Sequence, residues 1–400
     1  MKTSVIVAIL CLIVQPTNCM TQCHRKCVCH PKILQCKGFY QDDIESDEFA
    51  NSITTDLEKI HITDGDIPEL PRNLVGSCAE DSSYHLNALK KLDLQNNGIK
   101  KINGNAFHCM PNLEELNLAN NQWNVSTAHT RTFTNIQNLK KLNLSDAFHD
   151  EIDSKVHIKH LRLVFLEGPF TKLEVLALDN NKLSVYDADT ANTMCTFTSL
   201  KRLNLAHNII SSLTFYHKQC LAHLEYLDLS YNSISTFEAY SNHYGLLSSL
   251  DQIQKKTNLS VNFFGNEFDC DCQLREFHDW LKRTEVRVFK KKTLTCHDGL
   301  LFNRSIVSVQ SAEFMCLSGD SSSNRSSSNA AVGVLVTMLV LLAIFLSVIS
   351  YIKRDTIKHF VSSFKRQPMA KKQLLSNYLS ENNENAKKGS WNSTLFTNYM

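Results

Sequence analysis

Leu89-Lys90-Lys91-Leu92-Asp93-Leu94-Gln95-Asn96-Asn97-Gly98-Ile99 is the stretch from which the rest of the chain can be read. The Leu92-x-Leu94 step has the period of a strand, whose side chains alternate between two faces. Leu92 and Leu94 therefore face a core, and Lys91 and Asp93 face solvent on a sheet. Asn97 stands where the chain must turn, and its amide can bond backbone groups of its own and a neighbouring turn.

The pattern recurs as Leu113, Leu116, Leu118, Asn121, Trp123, and as Leu173, Leu176, Leu178, Asn181, Leu183. It returns as Leu200, Leu203, Leu205, Asn208, Ile210, and as Leu224, Leu227, Leu229, Asn232, Ile234. Starts lie mostly 24 to 27 residues apart, the signature of the leucine-rich repeat. Other copies are degenerate. Leu57, Ile60 and Ile62 precede Gly65 in the Asn place, and Leu139, Leu142 and Leu144 precede Ala147. Ile158, Leu161 and Leu163 read as a partial unit, because Leu173 opens the next copy 15 residues after Ile158. The last copy is Leu259, Val261, Phe263, Asn266, Phe268, its first Leu one place late. The convex side has its own spacing, Phe107-x-x-Met110-x-x-Leu113 and Phe133-x-x-Ile136-x-x-Leu139, which reads as core packing. The expected fold is an α/β solenoid: a leucine-rich-repeat horseshoe of about eight repeats with cysteine-rich N- and C-terminal caps, plus one transmembrane helix.

The flanks set the compartment. Lys2, an apolar run over 5–14, and the small Thr17 and Cys19 read as a signal peptide cut after Cys19. Residues 330–352 carry no charge, and Lys353, Arg354, Lys358, Lys365, Arg366, Lys371 and Lys372 follow them. A run of that length spans about 30 Å of hydrocarbon, and the positive-inside rule puts the later side in the cytoplasm. The expected organisation is 1–19 signal peptide, 20–56 front cap, 57–268 repeats, 269–317 rear cap, 318–329 Ser-rich linker, 330–352 membrane helix and 353–400 cytoplasmic tail. That is a single-pass type I plasma-membrane protein with an extracellular N-terminal side.

All 14 cysteines precede the tail, two of them in the signal peptide, and this partition fits disulfides better than metal or thiol chemistry. Cys23, Cys27, Cys29 and Cys36 stand before the repeats, and Cys270, Cys272, Cys296 and Cys316 after them. Four cysteines allow three pairings, and spacing alone does not choose. These spacings resemble the caps of extracellular leucine-rich-repeat proteins, a pattern that implies Cys23–Cys29, Cys27–Cys36, Cys270–Cys296 and Cys272–Cys316. Cys195 and Cys220 lie five and four residues before Leu200 and Leu224, so they stack one turn apart. Cys109 has the same phase before Leu113, and Cys78 lies in the first insertion. Cys78–Cys109 and Cys195–Cys220 are therefore expected.

Five sequons lie on the outer side: Asn124, Asn143, Asn258, Asn303 and Asn324; Asn392 falls in the tail and should stay bare. Asn143, between Leu142 and Leu144, falls on the concave face, where a sugar would obstruct mid-face binding. Binding is then expected at a terminal repeat, at the insertion over 146–170, or along a lateral edge. The 16 histidines show no His-Glu-x-x-His spacing, and no Gly-x-Ser-x-Gly, P-loop or kinase set occurs. No enzyme, catalytic residue, metal site or cofactor is expected. A formal net charge of +2 gives no reason to expect nucleic acid. The basic tail reads as topology plus contact with anionic inner-leaflet lipid. Asp42, Asp43, Glu45, Asp47 and Glu48 read as a solvated acidic face.

The rear cap carries more than cysteines. Cys270-Asp271-Cys272, Trp280-Leu281-Lys282, Thr284-Glu285-Val286, Leu294-Thr295-Cys296, Asn303-Arg304, Ser311-Ala312 and Cys316 occur in that order, followed by Tyr351, Arg354 and Ile357-Lys358. From Val261 onward this resembles the trophoblast glycoprotein family; upstream only the repeat architecture is shared. The resemblance implies a cell-surface glycoprotein that damps β-catenin-dependent Wnt signalling through the Wnt co-receptor, with ties to motility and adhesion. Its partners would be extracellular or membrane proteins. An adhesion or guidance receptor is the alternative on the same architecture, and an innate pattern receptor is disfavoured because no signalling domain follows the membrane run. Two departures stand out: Asn266-Glu267 replaces the usual Asn-Pro, and Thr397-Asn398-Tyr399-Met400 is not a PDZ-type terminus, which argues against a PDZ partner.

Overall fold

The computed structural model describes residues 23–75, 86–149, 154–168, 170–184, 193–211, 213, 221–237, 245–297 and 299–314. The Leu-x-Leu segments are short strands stacked in one sheet. In chain order the strands are β1 (Cys27–His30), β2 (Ile33–Lys37), β3 (Lys59–Thr63), β4 (Glu69–Leu70), β5 (Lys91–Asp93), β6 (Lys101–Ile102), β7 (Glu115–Asn117) and β8 (Lys141–Asn143). They continue as β9 (Val175–Ala177), β10 (Arg202–Asn204), β11 (Tyr226–Asp228), β12 (Ser260–Asn262) and β13 (Arg287–Val288). All but β4 and β6 form one 11-stranded sheet, and those two pair with each other. The β1–β2 pair is antiparallel and every later pairing in the large sheet is parallel. The register sets leucine on leucine, Leu92 against Leu116, Leu116 against Leu142, Leu176 against Leu203 and Leu203 against Leu227.

Those leucines are 0–1% exposed, as are the convex-side Phe107, Phe133 and Met110. At about 1.5–3 kcal/mol for each fully buried side chain, this column is the main source of cohesion. No single repeat encloses it, so each turn depends on its neighbours.

The ladder asparagines bind two turns at once. Asn121 Oδ1 accepts from Asn97 N and Ile99 N, while its Nδ2 donates to Leu94 O, Leu118 O and Ala119 O. Asn208 repeats this with Asn181 N and Leu183 N, and with Leu178 O, Leu205 O and Ala206 O. The two exceptions have physical reasons. A Cβ on Gly65 would lie 2.4 Å from Phe39 O and 2.8 Å from Asn97 Oδ1, so the front cap leaves no room for a side chain there. At Ala147 the backbone substitutes: Trp123 N donates to Ala147 O at 2.7 Å and Asn121 N to Asp146 O at 3.0 Å.

The partial repeat expected at Ile158, Leu161 and Leu163 is not a repeat. Residues Ser154–Leu166 form a helix, and β8 pairs directly with β9 across the insertion. Ile158, Leu161, Val164 and Phe165 are buried, whereas Leu163 is 36% exposed. The buried set follows the three-to-four spacing of a helix face, and two apolar residues three apart suit either reading. Phe165 packs edge-on against Phe170 and Phe197, which holds the helix to the solenoid.

The acidic face expected at residues 42–48 is only partly solvated. Asp43 is 7% exposed. It accepts from Lys26 Nζ at 2.6 Å and Tyr40 N at 2.8 Å, and buried His24 stands 3.7 Å away. Burial pushes the Asp43 carboxyl up, but the Lys26 ammonium and the Tyr40 N–H outweigh it and hold the group below the usual carboxylate range. Asp43 thus pins the segment leading into β1 to the turn of helix before α-helix Asp47–Ser52.

At the other end, Phe237, Phe263, Phe268, Phe277 and Trp280 form one ring cluster over the last repeat. Helix Arg275–Arg283 supplies two of those rings. Asp251 Oδ1 ties the helix down by accepting from Trp280 Nε1 at 2.9 Å and Thr284 Oγ1 at 2.7 Å. Basic Arg287, Lys290, Lys291 and Lys292 lie on and just after β13, and charge there guards an open sheet edge. Among the described residues no helix is long and apolar enough to cross a membrane; residues 330–352 lie outside them.

Candidate protein-binding surface

The outward positions of the strands make one continuous face. Its first column runs Lys59, Lys91, Glu115, Lys141, Val175, Arg202, Tyr226, Ser260 and Arg287. Toward the front the column is a charge chain, with Lys141 Nζ 2.6 Å and Lys91 Nζ 4.0 Å from Glu115. Most of the second column is polar and internally bonded: Asn117 Nδ2 donates to Asp93 Oδ1 at 2.9 Å and Asn204 Nδ2 to Asp179 Oδ1 at 2.8 Å. Such groups are already satisfied, which makes them weak anchors for a partner.

The C-terminal repeats differ, and the difference starts in the backbone. The residue before each ladder Asn, or before the residue in its place, is Asp64, Asn96, Asn120, Asp146, Asn180, His207, Tyr231 and Gly265, all with positive φ. Asn, Asp, His and Gly suit the left-handed region, whereas a bulky side chain such as tyrosine there is an outlier. His207 and Tyr231, both at φ 52°, are rings held in that conformation. They stack on each other with centroids 4.4 Å apart and planes 12° apart. Tyr231 meets Phe264 edge-on at 5.7 Å. A Cβ on Gly265 would come 2.6 Å from Tyr231 Cδ1, so this glycine makes room for the ring as well as for its own φ of 78°. Lys290 Nζ lies 4.8 Å from the Phe264 centroid and 5.4 Å from that of Phe289. Tyr231 is 47% and Phe289 46% exposed.

The strands beneath continue this character. Arg202 lies over the Tyr226 ring, 4.7 Å from its centroid. Tyr226 donates its hydroxyl to Asp228 Oδ2 at 2.6 Å, and Ser230 N and Oγ close on Asp228 Oδ1. Burial and then the hydrogen bond to the Asp228 carboxylate push the Tyr226 phenol up to about 12. It therefore stays a neutral donor, and the ring cannot reorient without breaking that bond. The result is a fixed patch of Tyr, Phe and His rings carrying Arg202, Arg287 and Lys290. Rigid aromatic side chains with arginine are the composition that carries binding energy in protein interfaces.

The apolar interior is less suited to a ligand. The apolar cavity under the helix, lined by Ile158, Phe165, Leu178 and Met194, has about 20 Å³, room for about one water. Among the described residues no group of three His, Cys, Asp or Glu side chains could hold a metal ion.

Disulfides join Cys23 to Cys29, Cys27 to Cys36 and Cys270 to Cys296. Cys109 and Cys195 are also disulfide-bonded, while Cys78, Cys220 and Cys316, the partners expected for Cys109, Cys195 and Cys272, lie outside the described residues. Asn124 and Asn143 are half-buried, Asn258 and Asn303 are exposed, and Asn324 lies outside the described residues. The structure does not gather these residues into one site. The aromatic patch is the feature missed in the sequence, although its signal is present: the residue before the ladder Asn changes from Asn to His207 and then Tyr231.

A leucine-rich-repeat family model matches residues 69–122 and 171–234. Trophoblast glycoprotein of Macaca fascicularis is 26% identical over 286 residues, covering 69% of this chain and 64% of that one. The crystal structure of human 5T4, trophoblast glycoprotein, superposes with a TM-score of 0.58 at 21% identity, over 75% of this chain and 100% of that one. The chain is a trophoblast glycoprotein-like leucine-rich-repeat protein. The likeness extends to other proteins of this architecture: a transforming growth factor beta activator of Danio rerio, LRRC33, is 26% identical over 60% of this trophoblast glycoprotein-like chain. The chain spans 37% of that relative's length and 64% of the macaque protein's.

Proposed function

We propose that this trophoblast glycoprotein-like protein is a single-pass cell-surface glycoprotein that binds protein partners through the aromatic, cationic end of its concave face, and so inhibits Wnt/β-catenin signalling. The carrying observation is the stacked pair His207 and Tyr231 in the left-handed region, with Gly265 cut back to admit the ring. Backbone held in a sparsely populated region costs on the order of 1–3 kcal/mol and clusters at functional sites. Here that cost brings no core packing, since both rings lie at the surface. Arg202, Arg287 and Lys290 around the rings suit a partner with acidic residues beside an apolar side chain.

Residues 330–352 are the membrane span in this reading, with the repeats outside and 353–400 in the cytoplasm. Supporting the signalling role, the human protein of that solved structure bears the name Wnt-activated inhibitory factor 1 as well as trophoblast glycoprotein. The binding face supplies recognition only: the rings exclude water, the cations orient the partner, and the polar columns keep the remaining face hydrated.

The test is a β-catenin-responsive reporter in Wnt-stimulated cells expressing the full chain or its Tyr231→Ala/Phe289→Ala variant. Surface amounts are matched with an antibody to the repeats on unpermeabilised cells. The full chain should lower the reporter and the double variant should not. An unchanged reporter with the full chain present at the surface rejects the Wnt role, and an equally potent variant rejects the aromatic patch as the binding surface.

A further inference from the structure

Four asparagines occupy the second outward column of the concave face: Asn117, Asn143, Asn204 and Asn262. Three of them spend the amide nitrogen on an acid of the preceding repeat. Asn117 Nδ2 reaches Asp93 at 2.9 Å, Asn204 Nδ2 reaches Asp179 at 2.8 Å, and Asn262 Nδ2 reaches Asp228 at 3.3 Å. Asn143 faces a preceding repeat that offers Asn117 and Ala119 at those places, and no acid. Its Nδ2 has no hydrogen-bond partner among the described residues, whereas its Oδ1 accepts from Ser145 N at 3.0 Å. Ser145 Oγ sits between Asn143 Oδ1 and Asp179 Oδ1, at 2.7 and 2.6 Å. The oxygen side of the amide is thus anchored, and its nitrogen side is open on the concave face.

The column also separates the four by sequence. Asn117-Leu118-Ala119, Asn204-Leu205-Ala206 and Asn262-Phe263-Phe264 are not acceptors for N-linked sugar, and Asn143-Leu144-Ser145 is. The one asparagine of these four in an acceptor motif is the one whose nitrogen has no partner among the described residues. Sugar is added before the chain folds, so the folded environment decides what the modification costs. At Asn143 it costs no hydrogen bond.

We propose that Asn143 carries an N-linked glycan that stands in the middle of the concave face and confines protein partners to the aromatic C-terminal repeats. In the transfer, Asn143 Nδ2 forms a bond to the anomeric carbon of a lipid-diphosphate-linked oligosaccharide. The bond from that carbon to the phosphate oxygen breaks, the lipid diphosphate leaves with the electron pair, and one amide proton is lost. The glycan covers Lys141 on the same strand and the strands beside it. Tyr226 on β11 lies three strands away, about 14 Å at the ~4.8 Å strand spacing, so the patch beyond it stays accessible. This rests on the repeats facing the glycosylating compartment.

Two measurements on the full chain from mammalian cells test it. The first is enzymatic deglycosylation in heavy-oxygen water followed by peptide mass spectrometry, which should tag Asn143 in most molecules. The second is labelling with a bulky amine-reactive polyethylene-glycol ester. Removing the glycan by enzyme or by Asn143→Gln should raise Lys141 labelling several-fold and leave Lys290 unchanged. A bare Asn143 beside occupied Asn258 or Asn303 overturns the proposal and leaves the surface topology standing. Occupied Asn143 with unchanged Lys141 labelling overturns the shielding. Bare sites throughout overturn both the proposal and the outside placement of the repeats.

Discussion

Asn181 closes the ladder across the inserted helix Ser154–Leu166, and its removal has a size that follows from its bonds. Its Oδ1 accepts from Ala147 N at 2.9 Å and Phe148 N at 3.2 Å, reaching back across the inserted helix. Its Nδ2 donates to Leu144 O, Leu178 O and Asp179 O at 2.7, 2.9 and 3.1 Å. The side chain is 5% exposed. Asn181→Ala orphans two buried N–H groups at about 1–3 kcal/mol each, and the three carbonyls keep a second lone pair and lose less. The expected loss is about 3–5 kcal/mol, reduced toward the lower figure if a water enters the space. Pulse proteolysis of the full chain across a urea series gives the total. Hydrogen exchange gives its location, which should be the amides of Ala147 and Phe148. Asn180→Ala, one residue earlier and at the surface, is the control; its left-handed φ of 59° should cost about 1 kcal/mol. A loss below about 1 kcal/mol at Asn181, or faster exchange spread evenly over the repeats, would refute the ladder as the element that carries the stack over the insertion.

Gly265→Ala places a methyl where the Tyr231 ring sits and imposes a left-handed alanine, so it should destabilise by about 1–2 kcal/mol and disrupt the His207–Tyr231 stacking, with the loss read from the aromatic NMR shifts of the variant against those of the native chain. Unchanged shifts would remove the cradle argument. Asp43, held below its ordinary value in the fold, contributes stability that is present above its unfolded value of about 4 and is lost as pH falls through the folded value. Exchange protection of β1 and β2 should therefore be flat from neutral pH down to about 4 and fall below it, and Asp43→Asn should weaken the front cap at pH 7 and flatten that acid limb. Peptide mapping without reductant should recover Cys109 joined to Cys78 and Cys195 joined to Cys220; either thiol found alkylatable in the intact chain contradicts the pairing by phase.

Much of the fold was legible because repetition amplifies a weak local signal. A single Leu-x-Leu is ambiguous, but five clean copies with Asn at one offset determine the strand, the inward face and the turn together. The same logic misled at Ile158, Leu161 and Leu163, where one copy of a spacing carries no such redundancy. Whether that segment is strand or helix depends on Phe170 and Phe197, which pack on Phe165. Asp43 was misread for a related reason. Five acids in a short stretch look alike in sequence, and only the approach of Lys26 and His24, just before β1, buries one of them.

By itself the sequence determined the solenoid, the inward facing of the Leu-x-Leu positions, the cysteine-capped ends and the acceptor motif at Asn143. All of these follow from periodicity and spacing, which are properties of one chain direction. Only the tertiary structure decided what neighbouring repeats do to each other. Stacking parallel strands brings Asp93 under Asn117 and leaves no acid under Asn143. It sets His207 on Tyr231, and it leaves Gly265 as the space that Tyr231 fills. Residues 24 to 34 apart in sequence become neighbours only when the shared leucine core draws the turns together, so the binding patch and the open amide are properties of the stack.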